Sequence, residues 1–263
     1  MTGQLGSRPR PAPWLILLVL VLVGCEQEPP RSTPSPAPAK AESSPPPSGS
    51  ILFQPMLIWE GGNPTHQGTG FLATTPGGQV VGITSAHFVN FDGPPLLEVR
   101  WLRIGTAQAV ARFDRSLGPP GSAGLTEPKL DLRPDYLLLV GHVSASEVKT
   151  LELDERPNPE IGEKVWLPNK DPAAESGYRL IPGTVGAAAP THSAVHFRQA
   201  FKLQSQSGSP VISQRTGKVI GTLSRGTETP KGLILFLTPA RAILDAMEAK
   251  DRPKLKDVIG TKR

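Results

Sequence analysis

The chain has 263 residues, a formal net charge of +5, 30 prolines, 27 glycines and one cysteine. A single cysteine excludes a disulfide framework. The positive balance comes with no RNA- or DNA-binding motif, so nucleic acid is not expected as a partner.

In chain order, Arg8 and Arg10 precede the apolar run Trp14–Val23, then Gly24 and Cys25. A bilayer-spanning helix needs about 20 apolar residues, so this shorter run reads as a secretory signal over residues 1–24. Leu22-Val23-Gly24-Cys25 resembles a bacterial lipobox, which implies that Cys25 is diacylated and anchors the mature chain to a membrane. Glu26 after that cysteine implies passage to the outer membrane, facing the periplasm or the cell surface. Residues 25–50 read as a tether: Pro29, Pro30, Pro34, Pro36, Pro38 and Pro45–Pro47 with interspersed Ser and Ala favour extended conformations and build no core.

Beyond the tether, short apolar segments alternate with Gly/Pro turns: Ile51–Ile58, Leu96–Ile104, Tyr136–Val140, Lys164–Leu167, Val211–Ser213, Val219–Leu223 and Leu233–Leu237. That spacing predicts an all-β sandwich or barrel. Two further strands are expected around Gly70–Ala73 and Val80–Thr84, joined by Pro76-Gly77-Gly78. Thr238 is expected to cap a helix with Pro239 in its first turn, because Ala240, Ile243, Leu244 and Met247 recur at helical spacing. The tail 250–263 holds Lys250, Arg252, Lys254, Lys256, Lys262 and Arg263, and reads as solvated or drawn to anionic surfaces.

Three side chains carry candidate chemistry. Ser207 lies in Gln206-Ser207-Gly208-Ser209-Pro210, where small neighbours leave a hydroxyl clear and a backbone N–H free to meet an oxyanion. His87 follows a strand directly and supplies a base. Asp135 opens the apolar strand Tyr136–Val140; a partly buried carboxylate requires a hydrogen-bonding partner, and an imidazole N–H is one. Asp114 is a rival acid, but no apolar strand follows it. His66, His142, His192 and His196 lack metal-ligand spacing, so neither a metal nor a cofactor is assigned.

These segments together resemble the chymotrypsin-like serine peptidases, in particular their disulfide-free bacterial HtrA/Deg-like branch. Gly68-Thr69-Gly70-Phe71 is similar to the opening Gly-x-Gly-Phe strand, Thr84-Ser85-Ala86-His87 to Thr-Ala-Ala-His, and Asp135-Tyr136-Leu137-Leu138 to Asp-(Ile/Leu)-Ala-Leu. Ser205–Pro210 matches Gly-Asp/Asn-Ser-Gly-Gly-Pro. Ile161–Trp166, Pro182–Val185 and Gly217–Gly221 follow in the family's order, so the likeness spans residues 51–245. It implies two six-stranded antiparallel β-barrels, a trypsin-like double barrel, over about 51–140 and 160–238, with a short C-terminal helix inside a domain of 51–249. With only residues 250–263 after the expected helix, no PDZ-like module is expected.

The resemblance also assigns roles. His87, Asp135 and Ser207 form the triad, and the N–H groups of Ser205 and Ser207 the oxyanion hole. Ser224 lies near Asp135, and Ser224 and Arg225 present a strand to the substrate backbone. Phe201 falls near the base of the specificity pocket and brings no carboxylate, so cleavage after basic residues is not expected. Ser205 departs from the family's glycine: either it takes a poorly populated backbone conformation, costing roughly 1–3 kcal/mol, or its peptide flips and one oxyanion donor is lost, lowering turnover about 100–1,000-fold. Two functions follow: an envelope-anchored serine endopeptidase acting on peptides or proteins, or a weak or inactive pseudo-peptidase that binds them.

Overall fold

The computed structural model describes residues 44–45, 48–89, 91–121, 134–144 and 148–260. Cys25, the apolar run before it and most of the proline-rich segment lie outside the described residues. No helix among the described residues is long and apolar enough to cross a membrane.

Two β units, antiparallel apart from one short parallel pair in the first, follow each other along the chain. The first is an eight-stranded curled sheet in the order β2-β1-β5-β6-β7-β4-β3-β8. Its strands are β1 (Phe53–Trp59), β2 (Thr65–His66), β3 (Phe71–Thr74), β4 (Val80–Thr84), β5 (Leu96–Arg103), β6 (Ala109–Ser116), β7 (Leu137–Val143) and β8 (Thr150–Leu151). An isolated bridge between Phe53 and Gly70 brings the start of β1 to the start of β3 and draws the ends of the sheet together. The second unit is a closed six-stranded barrel, β10-β11-β14-β13-β12-β9. It comprises β9 (Lys164–Lys170), β10 (Tyr178–Ala188), β11 (Ser193–Phe197), β12 (Pro210–Ser213), β13 (Val219–Thr229) and β14 (Gly232–Pro239). The strand spacing predicts all-β and the resemblance implies the trypsin-like double barrel. The second barrel has the six strands expected, while the first is an eight-stranded curled sheet, with two short strands added at its edges.

Strand periodicity places the cores. Along β14, Leu233, Leu235 and Leu237 alternate inward and are buried, as a two-residue period requires. The first core is built on Phe53, Trp101 and Phe113, with Trp101 stacked on Phe53 at 5.7 Å and edge-on to Phe113 at 5.0 Å. Gly82 faces this cluster, where a Cβ would come within 2.9 Å of both Phe113 and Trp101. A third apolar cluster joins Phe71, Ile83 and Leu138 of the first unit to Ile212 and Val219 of the second. It is sealed by Ile243 and Met247 of the helix α1 (Ala240–Met247).

A charged cluster ties the connecting segment to the second barrel. Arg156 Nε donates to Asp154 Oδ1 at 2.9 Å, and its Nη1 and Nη2 donate to the two carboxylate oxygens of Glu163, both at 2.9 Å. Ser213 Oγ also donates to Glu163, at 2.5 Å. Burial pushes the Asp154 and Glu163 carboxyls up, but hydrogen bonds and charge from Arg156 outweigh it and hold both below their ordinary values. Arg156 is pushed the other way, above its ordinary value, by the bonds it donates to Asp154 and then Glu163.

Two expectations change. Pro239 rather than Thr238 occupies the N-cap of α1, with no side-chain cap bond, because the Thr238 hydroxyl is used elsewhere. The basic tail is not simply solvated: residues 251–260 lie along the first unit. Ser116 N–H donates to Pro253 O at 3.0 Å and Gly118 N–H to Asp251 O at 3.1 Å. Leu255 in the short helix α2 (Leu255–Val258) and Ile259 are fully buried in the first core. These two apolar side chains, four residues apart, dock the segment together with those backbone bonds, while Lys254 and Lys256 stay exposed.

Candidate active site

The site lies where the two units meet. β4 ends in Thr84, and Ala86–Phe88 form a single 3-10 turn carrying His87. The first N–H groups of such a turn have no internal partner. Here they donate to one oxygen of Asp135, Oδ1, from Ala86 at 2.7 Å and from His87 at 3.1 Å. The other oxygen, Oδ2, lies 2.6 Å from His87 Nδ1 and accepts the Ser224 hydroxyl at 2.6 Å. Asp135 is only 5% exposed, so each carboxylate oxygen is held by two donors. An ionised carboxylate only accepts, which places the neutral imidazole's proton on Nδ1 and leaves Nε2 as the lone-pair nitrogen.

Ser224 reaches Asp135 because β13 is irregular there. Leu223 pairs with Leu237 and Arg225 with Phe236, so Ser224 is the extra residue of a bulge. Bulges re-aim a side chain in this way. Arg225, next along the strand, is half-exposed. Asp114 likewise sits in a bulge, between Phe113 and Arg115 of β6, where it is exposed and makes no contact with His87.

The Ser207 loop is pinned from both units. Gly208 N–H donates to Leu223 O at 2.7 Å, and Thr69 N–H donates to Ser207 O at 2.9 Å. The Thr69 hydroxyl, fully buried, contacts Gln206 O at 3.1 Å, Ser207 O at 3.0 Å and Ser209 Oγ at 2.7 Å. Ser209 thus turns an extra hydroxyl into an anchor. The Gln206 amide is fixed by Asn169 Oδ1 at 2.9 Å and by Lys170 N–H at 3.1 Å. Gly208 has φ +87°, and a Cβ there would sit 2.0 Å from Thr69 O, so only glycine fits. The Ser207 hydroxyl donates to Ser224 O at 3.2 Å. Among the described residues no hydrogen bond joins it to His87.

Gln206 N–H donates to Leu203 O at 3.1 Å, closing a four-residue turn over Leu203–Gln206. Ser205, third in it, has φ +64° and is the only non-glycine residue with positive φ among those described. Since Gln204 is therefore not left-handed, this is the type II pattern, which normally takes glycine at its third position. The Ser205 and Ser207 N–H groups donate to no group among the described residues. The sequence identifies the demand on Ser205; the structure meets it with a left-handed backbone.

Phe201 packs edge-on against Phe197 at 5.5 Å and forms part of the second barrel's wall. Its neighbour Leu203 closes over Gly226: a Cβ on Gly226 would meet Leu235 at 2.6 Å and Leu203 at 3.2 Å. A separate groove of about 600 Å³ on the second barrel, lined by Lys164, His196, Arg198 and Lys231 among others, shares no residue with this site. No group of three His, Cys, Asp or Glu among the described residues is placed to hold a metal. Sequence reasoning gave no role to Thr69, Ser85 (Oγ to Leu223 O, 3.1 Å) or Thr84 (Oγ1 to Thr69 O, 2.6 Å). Hydroxyls next to the Gly-x-Gly and x-x-Ala-His motifs were the available signal.

No family model matches the sequence, and no curated protein matches it with significance. Solved structures do match the fold. Tobacco etch virus protease, catalytically active and complexed with product, is 16% identical with a TM-score of 0.51, over 80% of this chain and 85% of that one. A thermostable serine protease from an extremophilic microorganism is 12% identical at 0.51, over 76% and 96%. A protease from M. tuberculosis in its active form is 16% identical at 0.50, over 91% and 100%. At these identities the likeness is one of fold: the chain has the double-barrel architecture of chymotrypsin-like proteases.

Proposed function

We propose that the protein is a serine endopeptidase that cleaves peptide bonds through an acyl-enzyme. The observation that carries the reading is the Asp135–His87 contact of 2.6 Å beside the Ser207 loop. A buried carboxylate fixes the imidazole tautomer there and leaves Nε2 as the base. For reaction, the Ser207 hydroxyl rotates from Ser224 O to His87 Nε2, gives up its proton and attacks the substrate carbonyl. The unspent N–H groups of Ser205 and Ser207 receive the oxyanion. The His87 imidazolium returns the proton to the leaving amine, and water releases the acyl group by the reverse sequence. The partly buried Phe201 and Leu203 make the lining before Ser207 apolar, which suits uncharged side chains at the cleavage position. The half-exposed Arg225 and the segment after it offer backbone groups to an extended peptide.

The second reading, a weak or inactive peptide-binding relative, draws on the resting contact of Ser207 with Ser224 O and on the left-handed Ser205. A fluorophosphonate probe decides between them. Labelling of the wild type that disappears in Ser207→Ala supports the hydrolase, and a folded wild type that takes no label refutes it.

The motifs support a likeness to the disulfide-free bacterial HtrA/Deg-like branch, and the lipobox-like Leu22–Cys25 supports a lipid anchor in the cell envelope. Cys25→Ser is expected to abolish metabolic incorporation of an alkyne-tagged fatty acid. Undiminished incorporation in that variant refutes the anchor.

A further inference from the structure

Thr238 reads in sequence as a helix cap, yet its hydroxyl makes no cap bond. It is 2% exposed, at the end of β14 in the second barrel, and turns instead to the backbone of Asp135. Asp135 N–H donates to Thr238 Oγ1 at 2.8 Å, and Thr238 Oγ1 donates to Asp135 O at 3.1 Å. In an extended residue the N–H and C=O point to the same side, and a neighbouring strand would offer one acceptor and one donor to that side. Asp135 stands before the start of β7, where β4 pairing begins only at Leu137. One hydroxyl, both accepting and donating, takes the place of the missing strand.

We propose that Thr238 is a positioning residue for the acid–base pair: it fixes the backbone of Asp135 so that Oδ2 faces His87 Nδ1. This rests on the reading of His87, Asp135 and Ser207 as a triad. Two contacts from the second barrel meet on Asp135, Ser224 on the carboxylate and Thr238 on the main chain, while Ala86 and His87 hold it from the first. Proline at 134 contributes no N–H, so the Asp135 amide is the first donor available to hold this end of the strand. Without the hydroxyl, that amide and carbonyl lose a buried partner, and the carboxylate gains freedom to swing from the imidazole.

The test uses the full-length chain and two readings. One is the fluorophosphonate labelling rate. The other is the far-downfield proton resonance of His87 Nδ1–H, which reports the bond to Asp135 without requiring turnover. Thr238→Val keeps the side-chain shape and removes the hydroxyl. It is expected to lower the labelling rate about 10- to 100-fold and to erase the resonance or move it upfield. Thr238→Ser is expected to restore both. If Thr238→Val does not fold, Thr238→Cys replaces it, since a thiol is a poor hydrogen-bond partner. An unchanged resonance in a folded hydroxyl-free variant overturns the proposal even if labelling falls, as do a serine variant that restores neither reading and a wild type without the resonance. A wild type that shows the resonance but takes no label refutes the hydrolase, leaving the clamp to be judged on the resonance alone.

Discussion

Ser205 holds the third position of a type II turn, a place where a side chain costs roughly 1–2 kcal/mol. The relaxed alternative is a type I turn, reached by rotating the peptide between Gln204 and Ser205. The Gln206-to-Leu203 bond survives in either form, but the Ser205 N–H reverses direction. The side chain of one residue thus biases the turn against the form that, in the proposed mechanism, offers two donors to an oxyanion. Ser205→Gly removes that bias and is expected to raise the fluorophosphonate labelling rate about fivefold, the equivalent of about 1 kcal/mol, without lowering the melting temperature. An equal or slower rate would show that the surrounding contacts already hold the turn completely. Gly208 allows no such latitude, since its Cβ position is occupied by Thr69 O.

At the scale of elements, bulges and glycines do what side-chain chemistry alone does not. The bulge at Ser224 lets one residue send its hydroxyl to Asp135 and its carbonyl to Ser207. In the first barrel, Gly82 on β4 leaves room for Trp101 and Phe113. Gly82→Ala places a methyl within 2.9 Å of both rings and is expected to cost about 1–3 kcal/mol in urea unfolding. A cost near zero would mean that the Trp101 ring has space to retreat. The elements readable from sequence were those punctuated by glycine and proline, such as β3 and β4 around Pro76-Gly77-Gly78. β6 and β11 were not read. In β6 the bulge at Asp114 breaks the two-residue alternation, and in β11 the exposed His196 interrupts a short apolar run. Thr238 was misread because Thr-Pro before a helical pattern has the local form of a cap, and no local pattern reveals a partner 103 residues away.

For the molecule as a whole, His87 and Asp135 were legible because each lies at the edge of a well-marked strand, whereas Ser224, at a bulge within β13, was reached only through the resemblance. The hydroxyls that hold the Ser207 loop were not legible, since Thr69, Thr84 and Ser209 look in sequence like ordinary strand and turn residues. The charged cluster on the connecting segment gives a pH dependence. Asp154 and Glu163 titrate below their ordinary values of 3.8 and 4.5 when folded, so the unfolded chain binds more protons in that range. Their contribution to stability is complete above the ordinary values and is lost as the pH falls through the lowered ones. The urea midpoint is expected to drop as the pH falls through and below the ordinary carboxylate range, and less steeply in Glu163→Gln. That variant is expected to cost about 3 kcal/mol at pH 7, the low end for breaking a buried pair, because the Arg156 side chain keeps 27% exposure. A parallel decline in variant and wild type would assign the acid sensitivity to other carboxylates.

Residues 251–260 lie last along the described chain, yet they cover the barrel whose strands come first. During vectorial synthesis, that barrel therefore emerges early but stays without Leu255 and Ile259 until residues 251–260 follow. Its last interior positions are filled only after the second barrel, with β14 and Thr238, has also become available. A chain cut short before residue 251 thus keeps a first barrel without Leu255 and Ile259, and is expected to be cleaved faster by added protease than the full-length chain.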